Sequence, residues 1–240
     1  MRYLGGKTRL ARRLVDTMIA RSGVDPARTT IVDGCCGAGS VSVRMVKAGF
    51  RRVVMFDGHP AIVGLWRALF DGWQPPMRVT EDEYKAVKHG PRDPSDPMTG
   101  FCMTGVTFAG KPWDSYARSS DRASYAAQSA RSLLRKIAVL RGRASVRLSR
   151  HEVFKTYRGA VHYVDPPYEG TTGYEITGGD VWATARRWAR DGAAAVFVSE
   201  YSGPSDAVPV WRGRGNPGGL GDKAGRVETL FQVRHAIPRR

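Results

Sequence analysis

The chain has 240 residues, 42% of them hydrophobic and 25% charged, and its 38 Lys and Arg outnumber 22 Asp and Glu to give a net charge of +16. That length carries one sizeable core with room for a smaller inserted lobe. No run approaches the roughly 18 apolar residues of a membrane span, and the N-terminus has no secretory pattern, so no membrane partner is expected. Cys35, Cys36 and Cys102 are too few for a disulfide framework, and no Cys/His spacing suits zinc; no metal is expected, and a reducing cytoplasm is the simplest compartment. The cation surplus favours a polyanionic partner, because each neutralised phosphate releases condensed counterions.

In chain order, "TRLARRLVDTMIARSG" (8–23) has apolar residues at helical spacing and a Ser-Gly stop. "TTIVDGCCGAGS" (29–40) is an apolar run broken by a glycine-rich turn, and "VSVRMVKAGF" (41–50) reads as a helix. "RRVVMFDGHP" (51–60) is a second strand ending in an acid, followed by a second helix, "AIVGLWRALFDG" (61–72). This alternation means βαβ units and a parallel sheet. From about 75 to 125 the pattern breaks into Pro-, charge- and aromatic-rich segments. "SYAAQSARSLLRKIAVLRG" (124–142) is a basic amphipathic helix. The alternation then resumes with strands "ASVRLSR" and "AVHYVDPP", a helix at "GDVWATARRWARDG", and strands "AAAVFVSEY" and "RVETLFQVRHA". The expected architecture is a core of 1–75 and 145–240 interrupted by a lobe at 76–144.

Ligands of open parallel sheets bind outside the carboxyl ends of the strands, and here several strand ends carry pointed chemistry. Asp33 closes the first strand, with Gly37 and Gly39 letting the backbone turn closely round a ligand. Asp57 ends the next strand 20 residues after Gly37, where an acid accepts from ribose hydroxyls. Together they point to a nucleoside-containing cofactor. In "DPPY", Asp165 ends a strand, and Pro166 and Pro167 fix the following backbone. The Asp165 carboxylate, the Pro166 carbonyl and the flat ring of Tyr168 suit a planar ligand bearing an NH2 group. In "RYLGGKT" (2–8) the upstream glycine and preceding strand of a P-loop are missing; Gly5 and Gly6 instead let Tyr3 and Lys7 reach a neighbouring pocket.

"RYLGGK", "VDGCCGAGSV", "FDGHP" and "VDPPY", in this order, with "FAGKPWDSYAR" and "NPGGLGDKAGRVETLFQ", resemble the Dam-type (D12 class) DNA adenine N6-methyltransferases, many of them phage-encoded. The likeness covers most of the chain. It implies an α/β, class I S-adenosylmethionine-dependent methyltransferase fold, Rossmann-like, with a mostly parallel sheet, helices on both faces and an inserted target-recognition lobe. It implies S-adenosylmethionine as cofactor, with Tyr3 and Lys7 contacting it, Asp33, Gly37 and Gly39 lining its methionine part, and Asp57 taking its ribose. Asp165 would hold the target amine close to the methyl donor and Tyr168 would stack on the base. The implied partner is double-stranded DNA, bound by a monomer in the cytoplasm of a bacterial host if phage-encoded. Restriction-modification and regulation are both roles the family serves.

A duplex adenine must be flipped out to be reached, and transfer to N6 would be direct and in-line. Lys111, Arg118, Arg122, Arg131 and Arg135 in the lobe would meet phosphates, interleaved with Phe108, Trp113 and Tyr116. Two departures from the family pattern stand out. Gly34 and Cys35 replace its usual Pro-Phe, a loss of about 1 to 3 kcal/mol of apolar contact near the cofactor if nothing substitutes. His59 stands where Asn is common. Cytosine N4 is the alternative target, although that family more often has Ser at the position of Asp165; RNA or protein-amide methylation usually goes with Asn there. A degenerate methyltransferase that only binds DNA is a third reading.

Overall fold

The structure, a computed structural model, describes residues 1, 5–118, 124–168, 179–214 and 227–233. Seven strands form one sheet: β1 (Thr30–Asp33), β2 (Arg52–Asp57), β3 (Ala144–Leu148), β4 (Val161–Val164), β5 (Ala195–Glu200), β6 (Ala207–Arg214) and β7 (Val227–Val233). Their order is β3-β2-β1-β4-β5-β7-β6. The first five pair in parallel, and β7 runs antiparallel between β5 and β6. This is the expected α/β architecture, a mostly parallel sheet with helices on both faces.

The central strands are apolar at nearly every position because both sheet faces are covered. Side chains alternate along each strand, and the alternation sorts them into two clusters. Ile31, Val53, Met55, Val161, Tyr163 and Phe197 face one way, into a core shared with α1 (Ala11–Ser22), α2 (Ser40–Lys47), α3 (Pro60–Phe70), α5 (Pro97–Gly105) and α6 (Tyr125–Leu140). Val32, Val54, Phe56, Val164, Val196 and Val198 face the other way, onto α7 (Val181–Arg190) and Phe154. His162 is buried on this second face against Trp188, ring centres 4.9 Å apart. Burial pushes its pKa down to about 4, so it packs as a neutral ring.

Three elements go beyond the sequence reading. Within the stretch read as a break lie α4 (Glu81–His89) and α5. Helix α4 starts at a capping box in which the Thr80 hydroxyl accepts from the Glu83 amide and the Glu83 carboxylate accepts from the Thr80 amide. Helix α5 is buried continuously from Thr99 to Gly105, so it has no polar face to generate helical periodicity. Strand β6 contains Pro209, which sits at the sheet edge where the register shifts between Pro209 and Trp211; proline is tolerated there because an edge strand need not donate every amide. No helix among the described residues is long and apolar enough to cross a membrane.

Helix α5 lies against α3 at Gly100, where an added Cβ would run into the Ala61 carbonyl and stand 2.8 Å from the Leu65 Cβ. Gly100→Ala should therefore lower the urea midpoint by the equivalent of about 1–3 kcal/mol. Gly105→Ala, whose methyl would stand 3.4 Å from the Phe101 ring, should cost clearly less.

Candidate active site

Parallel pairing of β2, β1 and β4 brings their carboxyl ends to one edge of the sheet, with Asp33 in register with Met55 and Tyr163. Asp33 and Asp57 are the last residues of β1 and β2, and Asp165 follows β4 directly. The chain leaving β1 stays bonded to both neighbours, Gly34 N–H donating to the Tyr163 carbonyl and Cys36 N–H to the Phe56 carbonyl, each at 2.8 Å. It then turns through Gly37 (φ 44°) and Gly39 (φ 67°) into α2, a left-handed path that glycine follows without strain.

Four side chains hold that loop. Asp57 Oδ2 accepts from the Gly37 amide at 2.8 Å and its Oδ1 from the His59 amide at 2.9 Å. The Trp66 indole of α3 donates to the Gly37 carbonyl at 2.8 Å, and its ring lies where a Cβ on Gly39 would stand, 2.6 Å away. Lys136 of α6 donates to the Ala38 carbonyl at 2.6 Å and to Ser40 Oγ at 3.1 Å. Ser40 Oγ is in turn 3.0 Å from Thr8 Oγ1. Burial pushes Lys136 down to about 8. The loop is thus tied to the sheet, to α3, to α6 and to the N-terminal segment.

On the other side of Asp33, Lys7 Nζ is 2.9 Å from Asp165 Oδ2, 3.1 Å from the Gly5 carbonyl, 3.7 Å from Glu228 Oε1, and 4.8 Å from the Tyr168 ring centre. Tyr168 also meets Tyr201 in a T-shaped contact with centres 4.6 Å apart. Asp33 Oδ2 accepts from the Ser42 hydroxyl at 2.5 Å, while Asp33 Oδ1 and Asp165 Oδ1 are buried with no hydrogen-bond partner among the described residues. Burial raises the Asp33 pKa to about 7, the Ser42 bond opposing it and the charges of Asp165 and Asp57 adding to it. Burial likewise raises Glu228 to about 7 against the pull of Lys7, and raises Asp57 despite the His59 and Gly37 amides.

Two carboxylate oxygens left without donors, in a region with four acids, make an environment for a ligand with positive charge or N–H and O–H donors. Phosphate would be repelled. Two cavities are lined by residues next in sequence to these acids. One of about 370 Å3 lies between Phe56, Arg147, Ser149, Phe154, Lys155 and Tyr157. The other, of about 840 Å3, is lined by Glu200, Tyr201, Arg212, Val227, Thr229 and Phe231. Phe154 stacks on Phe56 with ring centres 4.0 Å apart, and Cys35 packs against that cluster. An apolar wall therefore exists beside the loop although neither Gly34 nor Cys35 supplies a ring.

Of the residues predicted from sequence, Lys7, Asp33, Gly37, Gly39, Asp57, Asp165, Pro166, Pro167 and Tyr168 belong to this one sheet edge. Tyr3 and Arg122 lie outside the described residues. The lobe cations are elsewhere. Arg131 and Arg135 are exposed, four residues apart on α6. Arg118 pairs with Glu81 at 3.3 Å, and Lys111 follows the turn at Phe108–Gly110. Phe108 is 49% exposed. Trp113 lies under the Arg92 guanidinium, and Tyr116 is used structurally, its hydroxyl donating to the Val79 carbonyl at 2.7 Å. Sequence reasoning missed Trp66, Lys136 and Glu228. Glu228 had a signal, a lone acid in the apolar run "VETLFQV". Among the described residues no group of three or more His, Cys, Asp or Glu could hold a metal ion.

No family model matches the chain, and no curated protein matches it. Among solved structures, it is similar to yhhF of Escherichia coli, assigned as a methyltransferase, at 12% identity over 92% of this chain and 85% of that one, with a TM-score of 0.44. It is similar to PH1948 of Pyrococcus horikoshii, assigned as an RNA methyltransferase, at 9% identity over 95% and 85%, TM-score 0.47. It is also similar to HI0767 of Haemophilus influenzae, assigned as a methylase, at 10% identity over 93% and 99%, TM-score 0.45.

The raised pKa of Asp33 has a stability consequence. Its folded value of about 7 exceeds the ordinary 3.8, so the fold prefers the neutral acid. The contribution is fully present below about pH 4 and is lost as pH rises through about 7. Asp33→Asn, which keeps an acceptor for Ser42, should flatten this decline: urea midpoints of the two proteins should converge at low pH, with the variant the more stable at pH 8.

Proposed function

We propose that the protein is an S-adenosylmethionine-dependent methyltransferase acting on N6 of adenine in double-stranded DNA. The observation that carries this reading is the convergence of Asp57, Asp33 and Asp165 at the ends of adjacent parallel strands, with Asp165 oriented by Lys7. The sequence resemblance supports the choice of target. S-adenosylmethionine, when bound, supplies an electrophilic methyl group on a sulfonium. Asp33 Oδ1, buried and without a donor, suits the cofactor's ammonium. Asp57 Oδ2 takes the Gly37 amide and the Cys36 thiol, while Oδ1 takes only the His59 amide and keeps a second lone pair for a ribose hydroxyl. The cavity of about 370 Å3 walled by Phe56 and Phe154 suits a purine ring.

Asp165 performs the substrate-side work. Its Oδ2 is fixed by Lys7, which leaves Oδ1 to accept from an exocyclic amine. An amine nitrogen conjugated with its ring is a poor nucleophile. Accepting hydrogen bonds from its N–H groups favours a pyramidal nitrogen with an available lone pair. Pro166 and Pro167 hold this acceptor rigid, so positioning and fixed dipoles supply most of the acceleration. Tyr168 offers a ring for the flipped base, recovering part of the unstacking cost. We assign 1–75 and 145–240 to the catalytic core and 76–144 to target recognition, with Lys111, Arg118, Arg122, Arg131 and Arg135 as phosphate contacts and Tyr3 as a cofactor contact.

The direct test is incubation with methyl-labelled S-adenosylmethionine and unmethylated plasmid, followed by nucleoside analysis. N6-methyladenine is expected; N4-methylcytosine would move the target, and absence of label from DNA would overturn the DNA reading. Asp165→Ala should reduce transfer to background while circular dichroism stays unchanged. Tyr168→Ala should lower duplex turnover by roughly tenfold or more, from about 1–3 kcal/mol of lost stacking, and Tyr168→Phe far less. Charge reversal at Arg131 and Arg135 should shallow the salt dependence of DNA binding by about one counterion per lost phosphate contact, read from affinities across a salt series.

A further inference from the structure

Glu228 reaches the site from β7, where it stands in register with Gly213 of β6. Only 4% of the residue is exposed, and its Oε1 lies 3.7 Å from the ammonium of Lys7, which is already 2.9 Å from Asp165 Oδ2. Two carboxylates thus share one ammonium. Asp33, 1% exposed, adds a third acid whose own ionisation is opposed by the charge of Asp165. Its Oδ1 and that of Asp165 are buried with no donor among the described residues. A buried carboxylate without a counter-charge is costly. That cost is relieved either by taking up a proton or by admitting a cation.

We propose that Glu228 makes the site selective for positive charge, so that it binds the sulfonium cofactor more tightly than the neutral thioether left by methyl transfer. The inference rests on the reading of the site as one for S-adenosylmethionine and adds to it a specificity-determining residue. In the transfer, the C–S bonding pair stays on sulfur, the amine nitrogen bonds the methyl carbon, and that nitrogen then releases a proton to solvent. Positive charge leaves sulfur, and the carboxylates around Lys7 are again under-compensated. Product then lacks an attraction that substrate had. The amino and carboxylate groups common to both ligands cancel in the comparison.

The groups facing Glu228 are Lys7 from the N-terminal segment, Asp165 and Tyr168 from the segment after β4, and Tyr163 from β4 itself; Glu200 ends the neighbouring β5. Both tyrosines are pushed up by burial and stay neutral. Glu228 is raised to about 7. The preference for sulfonium should therefore grow as pH rises through 7.

Calorimetric titration of the full chain with S-adenosylmethionine and with S-adenosylhomocysteine, at pH 6 and pH 8 and constant ionic strength, tests this. At pH 8 the sulfonium should bind roughly tenfold more tightly, a scale between that of a fully solvated charge pair and that of one near a protein surface, and the ratio should shrink at pH 6. In Glu228→Gln the ratio should approach one at both pH values. A wild-type ratio of one or less at pH 8, or a variant that keeps the wild-type ratio and its pH dependence, would overturn the proposal while leaving the cofactor reading intact. Failure of both ligands to bind the wild-type protein would overturn the cofactor reading and the proposal with it. If Glu228→Gln does not fold, Asp33→Asn serves, because Asp33 is also raised to about 7: it should keep the wild-type ratio and its pH dependence, and loss of both there would overturn the assignment to Glu228.

Discussion

The structure turns on the buried ammonium of Lys7, held between the carboxylates of Asp165 and Glu228. Parallel strands deliver several acids to one sheet edge, and burying like charges together is opposed by both desolvation and repulsion. Lys7 offsets part of that cost. In doing so it joins three parts of the chain that are remote in sequence, the N-terminal segment, the turn after β4 and the antiparallel strand β7. Its ammonium also lies over the Tyr168 ring, 4.8 Å from the ring centre, so the same residue orients the acceptor and backs the aromatic ring.

Around this pair the loop between β1 and α2 is built as a cradle of backbone groups rather than of side chains. Asp57 takes the Gly37 amide, Trp66 takes the Gly37 carbonyl, and Lys136 takes the Ala38 carbonyl. Each comes from a different element, so the loop is fixed only when β2, α3 and α6 are all packed. Helix α6 carries the exposed Arg131 and Arg135 on one side and Lys136 on another. The element proposed to meet nucleic acid is therefore bonded directly to the loop proposed to hold the cofactor.

Much of this was legible in the sequence. Strands β1, β2, β4 and β5 are short apolar runs bounded by acids, glycines and prolines, and they sit where the pattern predicted them. Helix α4 carried its capping box in "TEDE", a signal overlooked amid the surrounding prolines and charges. Helix α5 was not legible, because burial on all sides removes the polar stripe that periodicity needs. Strand β6 was hidden by Pro209 and Gly213, residues that argue against a strand unless its place at the sheet edge is known.

The amino-acid sequence by itself determined the alternation of strands and helices, the parallel sheet, and the placing of Asp33, Asp57 and Asp165 at strand ends. Those follow from local periodicity and from the chain breaks that glycine and proline impose. Only the tertiary structure decided which charges meet. Lys136 is one cation among several on a basic helix, and nothing local distinguishes it from Arg135, its immediate neighbour; the packing of α6 on α2 turns the one inward and leaves the other in solvent. Glu228 is an acid in a late strand until antiparallel insertion of β7 beside β5 brings its carboxylate to Lys7. Pairing of charges across 221 residues, from Lys7 to Glu228, depends on topology, and no window of sequence contains it.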